Sequence, residues 1–288
     1  MRVRTTRKNS RKNFIRKRRK RSYKSVKRLK GLVRSGGASD TPQEEVGFIM
    51  LRCVRKKEQN TLYKECYEAI RKYHPDLKIV IIDDNSDKSV LENDYPMTNV
   101  EVIESEYPTA GEYLPYWYFL QRKMFKKAIF VQDSMILNTK IPYENVEDFM
   151  FLYEIGNVTG FQEETKQLLE NTIIPEKLRS IYDSGNWRGC WGSMMVITSD
   201  FLSKIEESVG ISKWKDIIRS RQLRIGLESA IGICCVYLKG NDRNMSLFGK
   251  SQDMNVMKDP GNEKYTLDMY LADKTRIKDN IIKIWNGR

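Results

Sequence analysis

The sequence predicts a doubly wound α/β domain with a mostly parallel central sheet flanked by helices, and three observations predict it. Short apolar runs rich in β-branched residues alternate with amphipathic helical stretches from residue 46 to residue 131. The second and fourth strands stop abruptly at polar, turn-forming residues, Asp83-Asp84-Asn85-Ser86 and Gln132-Asp133-Ser134. Strand, helix, strand repeated in this way is the βαβ unit, whose crossovers place successive strands parallel.

The first run, residues 46–54, holds Phe48, Ile49, Met50 and Leu51 in an unbroken apolar stretch, as in strands covered on both faces. Residues 57–73 carry Leu62, Cys66, Ala69, Ile70 and Tyr73 at helical spacing, and Pro75 ends that helix. A β-branched run at 77–82 follows. The pattern repeats with a strand at 100–105, a helix at 112–125 and a strand at 128–131. Pro115 falls in the first turn of that helix, where its missing N–H has no partner to lose.

The second half is less regular. A strand at 148–154 and helices at 163–169 and 176–182 lead to Trp187-Arg188-Gly189-Cys190-Trp191-Gly192 and an apolar run at 194–197. Ser199 or Asp200 is expected to cap a helix that stops at Gly210, and Ser212 another that runs to 221. A third helix, 225–238, aligns Leu227, Ile231, Cys234 and Leu238 in one stripe with Glu228 to its side. No internal repeat is present.

The chain of 288 residues carries 51 basic and 38 acidic side chains, a net charge of +13. That charge is unevenly placed. Residues 1–37 contain 17 Lys and Arg and no acid, leaving 34 basic against all 38 acidic residues in the remainder. A run such as Arg16-Lys17-Arg18-Arg19-Lys20-Arg21 has no apolar face to bury and repels itself, so residues 1–45 are expected to be a disordered polybasic tail and linker, and 46–288 the folded domain. The tail suits a polyanion or an anionic membrane surface, or serves as a nuclear address.

No apolar stretch is long enough to span a membrane, and no apolar segment of a secretory signal follows the basic start, which points to the cytosolic side. Cys53, Cys66, Cys190, Cys234 and Cys235 form no C-x-x-C pair and have one histidine, His74, to join them, so reduced thiols are expected rather than zinc ligands. Neither a dinucleotide-binding glycine fingerprint, a phosphate-cradling Gly-Lys-Ser/Thr loop nor a nucleophile elbow occurs. What remains is a set of carboxylates at strand ends, where open α/β sheets bind their ligands.

The order Ile-Ile-Asp-Asp-Asn-Ser (81–86), Ala-Gly-Glu-Tyr-Leu-Pro-Tyr-Trp-Tyr-Phe (110–119), Phe-Val-Gln-Asp-Ser-Met (130–135), Trp-Arg-Gly-Cys-Trp-Gly-Ser-Met (187–194) and Gly-Leu-Glu-Ser-Ala-Ile-Gly (226–232) resembles the GT-A class of nucleotide-sugar glycosyltransferases. The resemblance is to the compact type found in large DNA viruses and covers roughly residues 46–250. It implies a Rossmann-like GT-A domain, a nucleotide-sugar donor such as a UDP-sugar, a glycan or glycoprotein acceptor, and residence in the host cytoplasm or the virion. On this resemblance Asp83, Asp84, Arg52, Gly111 and Glu112 bind the donor, and Trp187, Gly189, Trp191 and Gly192 the acceptor. Glu228 would be the general base that takes the acceptor's hydroxyl proton in an inverting transfer; a retaining transfer needs no such base.

Asp133 lies where the class carries its Asp-x-Asp metal motif, which implies Mn²⁺ or Mg²⁺, although the first acid of that motif is replaced here. One carboxylate is enough for such an ion when the donor's diphosphate and water complete its shell. Simpler structural readings stand beside these roles: a strand-closing turn for Asp83, Asp84 and Asp133, a helix-dipole partner for Glu112, a core plug for the tryptophans, and an ion-paired surface residue for Glu228. A non-catalytic relative of the class, or a nucleic-acid binder acting through its basic arm, remains the alternative function.

Overall fold

The computed structural model describes residues 44–156, 160–241, 244–258 and 265–285. Most of the expected polybasic tail and linker lies outside the described residues. Strand β1 (Glu44–Arg52) begins two residues before the expected domain boundary and leads through a 3-10 turn, Lys57–Gln59, into α1 (Asn60–Tyr73). Strands β2 (Lys78–Asp83) and β3 (Val100–Glu104) follow, then a 3-10 turn, Gly111–Tyr113, that opens α2 (Leu114–Arg122), then β4 (Phe125–Gln132) and β5 (Met135–Leu137). The second half contains β6 (Phe149–Phe151), β7 (Glu154–Ile155), α3 (Gln162–Glu170), α4 (Pro175–Ser184), β8 (Gly189–Cys190), β9 (Met195–Thr198), α5 (Ser199–Val209) and α6 (Arg221–Lys239). Short helices α7 (Asn255–Lys258) and α8 (Leu267–Ala272) precede β10 (Ile281–Lys283).

The central sheet has six strands in the order β3-β2-β1-β4-β9-β6. Strands β3, β2, β1 and β4 are parallel, and β9 alone runs against the rest. This is the mostly parallel α/β sheet that the alternating strand and helix signals predict. Side chains alternate across it. Ile49, Leu51, Val80, Ile82, Ala128 and Phe130 face a core closed by α2, α5 and α6, while Phe48, Met50, Ile79, Ile81, Ile129 and Val131 face a second core closed by α1, β5 and the C-terminal segment. Both faces are dry, which explains the unbroken apolar runs. Among the described residues no helix is long and apolar enough to cross a membrane.

Four boundaries differ from expectation, each for a local reason. Helix α2 ends at Arg122 because Lys123 takes a left-handed φ of 46°, and Phe125 joins β4, its ring filling the space left by Gly47, where an added Cβ would sit 2.2 Å from it. The strand expected over 148–154 is divided: β6 pairs with β9, and β7 turns away to pair with β8. Thr198, not Ser199 or Asp200, caps α5, its hydroxyl accepting from the Phe201 amide at 3.2 Å. Ser212 caps nothing and lies in a 3-10 turn; Ser220 caps the next helix instead, accepting from the Leu223 amide at 3.2 Å, so α6 starts at Arg221. That earlier start puts Arg221 and Arg224 on the helix.

Helix α6 is buried along most of its length and comes unusually close to its neighbours through glycine. A Cβ on Gly232 would lie 2.1 Å from the Arg188 carbonyl oxygen and 2.8 Å from the Gly189 Cα, and one on Gly226 would lie 2.9 Å from the Thr165 amide nitrogen. These are backbone atoms and cannot swing aside. Gly232→Ala gains about 1 kcal/mol of helix propensity but forces α6 off β8, at about 1–3 kcal/mol or more. Chemical denaturation of this variant is expected to give a lower midpoint, and an unchanged midpoint would mean that the helix can shift freely.

Candidate functional site

The site grows out of the C-terminal end of β1. Its two parallel neighbours are held in register with it, Leu51 opposite both Ile82 and Gln132. One residue beyond each neighbouring strand, the backbone remains tied to β1: the Asp84 amide donates to the Arg52 carbonyl at 2.8 Å and the Asp133 amide to the Leu51 carbonyl at 2.9 Å. Asp84 and Asp133 therefore stand on either side of β1, about 10 Å apart by strand spacing. Between and beyond them opens a cavity of about 170 Å³.

Asp84 and Asp133 are buried and well supported. The Asp84 carboxylate accepts from the Thr109 amide at 2.6 Å and the Gly111 amide at 3.2 Å. Burial nevertheless raises its pKa, opposed by those amides and by Arg224. Asp133 accepts from the Cys53 amide at 3.0 Å through Oδ2. Helix α6 contributes Arg221, Arg224, Ile225 and Glu228 to the cavity wall, the 3-10 turn before α2 adds Glu112, and the segment before β9 adds Trp191 and Gly192. Burial, reinforced by the nearby Glu112 charge, pushes Glu228 up to about 8, and the Gly192 amide and the Lys283 charge only partly offset this.

Six of the residues expected from sequence thus share one cavity: Asp84, Glu112, Asp133, Trp191, Gly192 and Glu228. Five do not line it. Asp83 points into the protein, where Oδ2 takes Arg52 Nε at 2.7 Å and the Ser86 hydroxyl at 2.8 Å, and Oδ1 takes the Ser86 amide at 2.7 Å. Arg52 is held by that pair and by the Tyr63 ring, 5.1 Å from its guanidinium carbon. These two are cross-strand neighbours that close the sheet end and lie outside the cavity wall. Trp187 is a core plug stacked on Tyr182, its indole N–H donating to the Tyr182 carbonyl at 3.0 Å. Gly189 is buried under α6, its absent Cβ making room for Ile155.

Gly111 supports the cavity from behind. Its φ of +52° favours glycine, and a Cβ there would collide with Arg224 Cδ at 2.3 Å. Its amide donates to the Asp84 carboxylate at 3.2 Å. None of the five cysteines forms a disulfide; four are buried and Cys53 is half-buried at the cavity wall. His74 is structural: buried, lowered to about 4 by desolvation, it accepts from the Ile141 amide at 3.0 Å.

Sequence reasoning missed the cationic part of the site. Strand β10 pairs antiparallel with β5 and carries Lys283 into the cavity, with Ile284 and Trp285 beside it. Lys283 Nζ donates to Gln132 Oε1 at 2.5 Å and to Ser134 Oγ at 2.8 Å, so the residues on both sides of Asp133 hold an ammonium group. Gln132 Nε2 in turn donates to the Gly192 carbonyl at 2.9 Å. The run Ile281-Ile282-Lys283-Ile284 signals a strand in the sequence, but nothing local says where it docks.

These residues fit a divalent ion held by the protein alone poorly: among the described residues no three His, Cys, Asp or Glu side chains gather to hold one, so an ion here would rest on Asp133 with the donor's diphosphate and water. One Asp133 oxygen already accepts from an amide, and the flanking side chains bind a cation of their own.

No protein-family model and no curated protein matches the chain. Among solved structures it is similar to the galactosyltransferase LgtC in complex with donor and acceptor sugar analogs, at 10% identity over 63% of this chain and 70% of that one, with a TM-score of 0.35. It is also similar to the mannosyltransferase Ktr4p from S. cerevisiae, at 10% identity over 67% and 64% of the two chains, with a TM-score of 0.35. Likeness of this degree carries no argument about fold or activity.

The raised Glu228 makes stability depend on pH. Between about 4.5 and 8 the folded protein keeps a proton on Glu228 that the unfolded chain has lost, so stability from this group falls as pH rises through that window, by up to about 1.4 kcal/mol per pH unit. Glu228→Gln is expected to flatten that fall in melting temperature measured between pH 5 and pH 8. Parallel curves for both proteins would show that Glu228 titrates normally.

Proposed function

We propose that the protein is a GT-A-like glycosyltransferase, which moves a sugar from a nucleotide-diphosphate donor, such as a UDP-sugar, to a hydroxyl of a glycan or glycoprotein. One observation carries the reading: a glutamate pushed up to about 8 shares a single cavity with two strand-end carboxylates and a half-exposed tryptophan. Asp84 uses two of its roughly four acceptor positions on backbone amides, leaving capacity for ribose hydroxyls. Trp191 offers a ring to the C–H face of an acceptor sugar, and Gly192, with φ of +61°, lets the backbone come close beside it.

Glu228 supplies the proton acceptor. In the transfer the acceptor oxygen bonds to the anomeric carbon, its proton passes to the Glu228 carboxylate, and the bond to the diphosphate oxygen breaks with its electron pair remaining on the diphosphate. A carboxyl group with a pKa near 8 is a stronger base than an ordinary carboxylate and is ionised above that pH. Transfer is therefore expected to rise with pH and level off above about 8.

A panel of sugar nucleotides, assayed for release of nucleoside diphosphate with and without glycan acceptors, tests the reading. Glu228→Gln is expected to lose about 10²–10⁴-fold in rate. Asp133→Asn is expected to lose activity while keeping its circular dichroism spectrum. Absence of turnover and of donor binding across the panel would overturn the proposal.

A further inference from the structure

The geometry points to a metal-free site in which Lys283 and Arg224 neutralise the donor's diphosphate, taking the place of a divalent ion. The inference rests on the sugar-nucleotide reading and specifies its chemistry. The strand-end run Gln132-Asp133-Ser134 presents one carboxylate with neutral side chains on both sides, and those side chains bind Lys283 Nζ at 2.5 and 2.8 Å. An ammonium group already held beside Asp133 repels a divalent cation brought to the same carboxylate and attracts phosphate oxygens.

Arg224 provides the second charge. It lines the same cavity from the first turns of α6, and its nearest charge contact is Glu112 Oε2 at 3.5 Å, too long for a hydrogen bond. Arg224 Nε and Glu112 Oε2 are both buried without a hydrogen-bond partner. These two atoms face each other at a distance that leaves the ion pair incomplete, so the guanidinium of this cavity-lining side chain keeps donor capacity for an anion. Its position is prepared by the fold: Gly111 has no Cβ where Arg224 Cδ passes, and Ser220 starts the helix one turn before it.

The cavity's size agrees. At about 170 Å³ it is smaller than pockets that enclose a whole ligand of drug size, about 300–1,000 Å³. It accommodates the charged and reacting part of a donor, where its cations lie, with the remainder in the opening. During transfer the diphosphate leaves with one further negative charge, and two fixed cations stabilise it without reorganisation.

Calorimetric titration of the full chain at about 0.15 M salt with UDP, GDP and inorganic pyrophosphate, in EDTA and in Mn²⁺, tests the inference. The expected result is that pyrophosphate and at least one nucleotide bind comparably in both conditions. Lys283→Met and Arg224→Met should each weaken that binding by about 10- to 100-fold, and Lys283→Arg should retain most of it. Nucleotide binding that appears only with Mn²⁺, or that survives both variants in EDTA, overturns the cationic site and leaves the transferase reading standing. Pyrophosphate bound in EDTA with no nucleotide bound supports the cationic site and removes the transferase reading; no binding of any probe in either condition overturns both.

Discussion

The site depends on the position of β1 between two parallel neighbours that end at the same level. Parallel ladders lock the three strand ends together, and the last hydrogen bonds, from the Asp84 and Asp133 amides to the carbonyls of Arg52 and Leu51, carry that order one residue past the sheet. Two acidic side chains are thereby fixed by backbone geometry, with no loop free to move them. The Asp83 and Arg52 pair serves the same end from inside, because a buried ion pair with good hydrogen bonds holds the strand ends at a fixed distance.

Helix α6 supplies the opposing chemistry, and its placement is a packing result. Glycines at 226 and 232 let it settle against α3 and β8 at backbone contact, and Gly189 gives way under the Glu228 carbonyl. This close approach removes water from Glu228, and removal of water together with the Glu112 charge keeps it protonated near neutral pH. The same helix, entered at Ser220, delivers Arg224 one turn earlier. A buried carboxyl group and a cation thus reach the cavity on a single rigid element, which keeps their relative positions constant.

Mixed charge in a small cavity is the other consequence. Asp84, Glu112, Asp133 and Glu228 meet Arg221, Arg224 and Lys283 around one space. In such a space, pKa values diverge according to local contacts: Asp84 is steadied by two amides and Arg224, whereas Glu228 has fewer stabilising contacts and a carboxylate for a neighbour. That divergence gives two carboxyl groups of one cavity different affinities for a proton.

Much of the fold was legible because buried parallel strands and their crossover helices leave local marks, such as the run Phe48 to Leu51, the helical spacing from Leu62 to Tyr73 and the polar stop at Asp83-Asp84. Residues 46–131 could be read in that way, and so could the strand-end positions of Asp84 and Asp133. The second of two adjacent acids could not be told from the first, since which one turns inward depends on whether Arg52 lies across the ladder. Likewise Trp187 and Trp191 look alike in sequence, but one stacks on Tyr182 in the core and the other faces the cavity.

Local signals in the chain fix where parallel strands form and that carboxylates close them, because hydrophobic period and turn chemistry act over a few residues. Long-range packing sets which carboxylates share a cavity, how far Glu228 is desolvated, and that Lys283, 150 residues along the chain from Asp133, comes to rest beside it. Those outcomes depend on the docking of β10 on β5 and of α6 on β8, contacts between segments distant in the chain that no local pattern encodes.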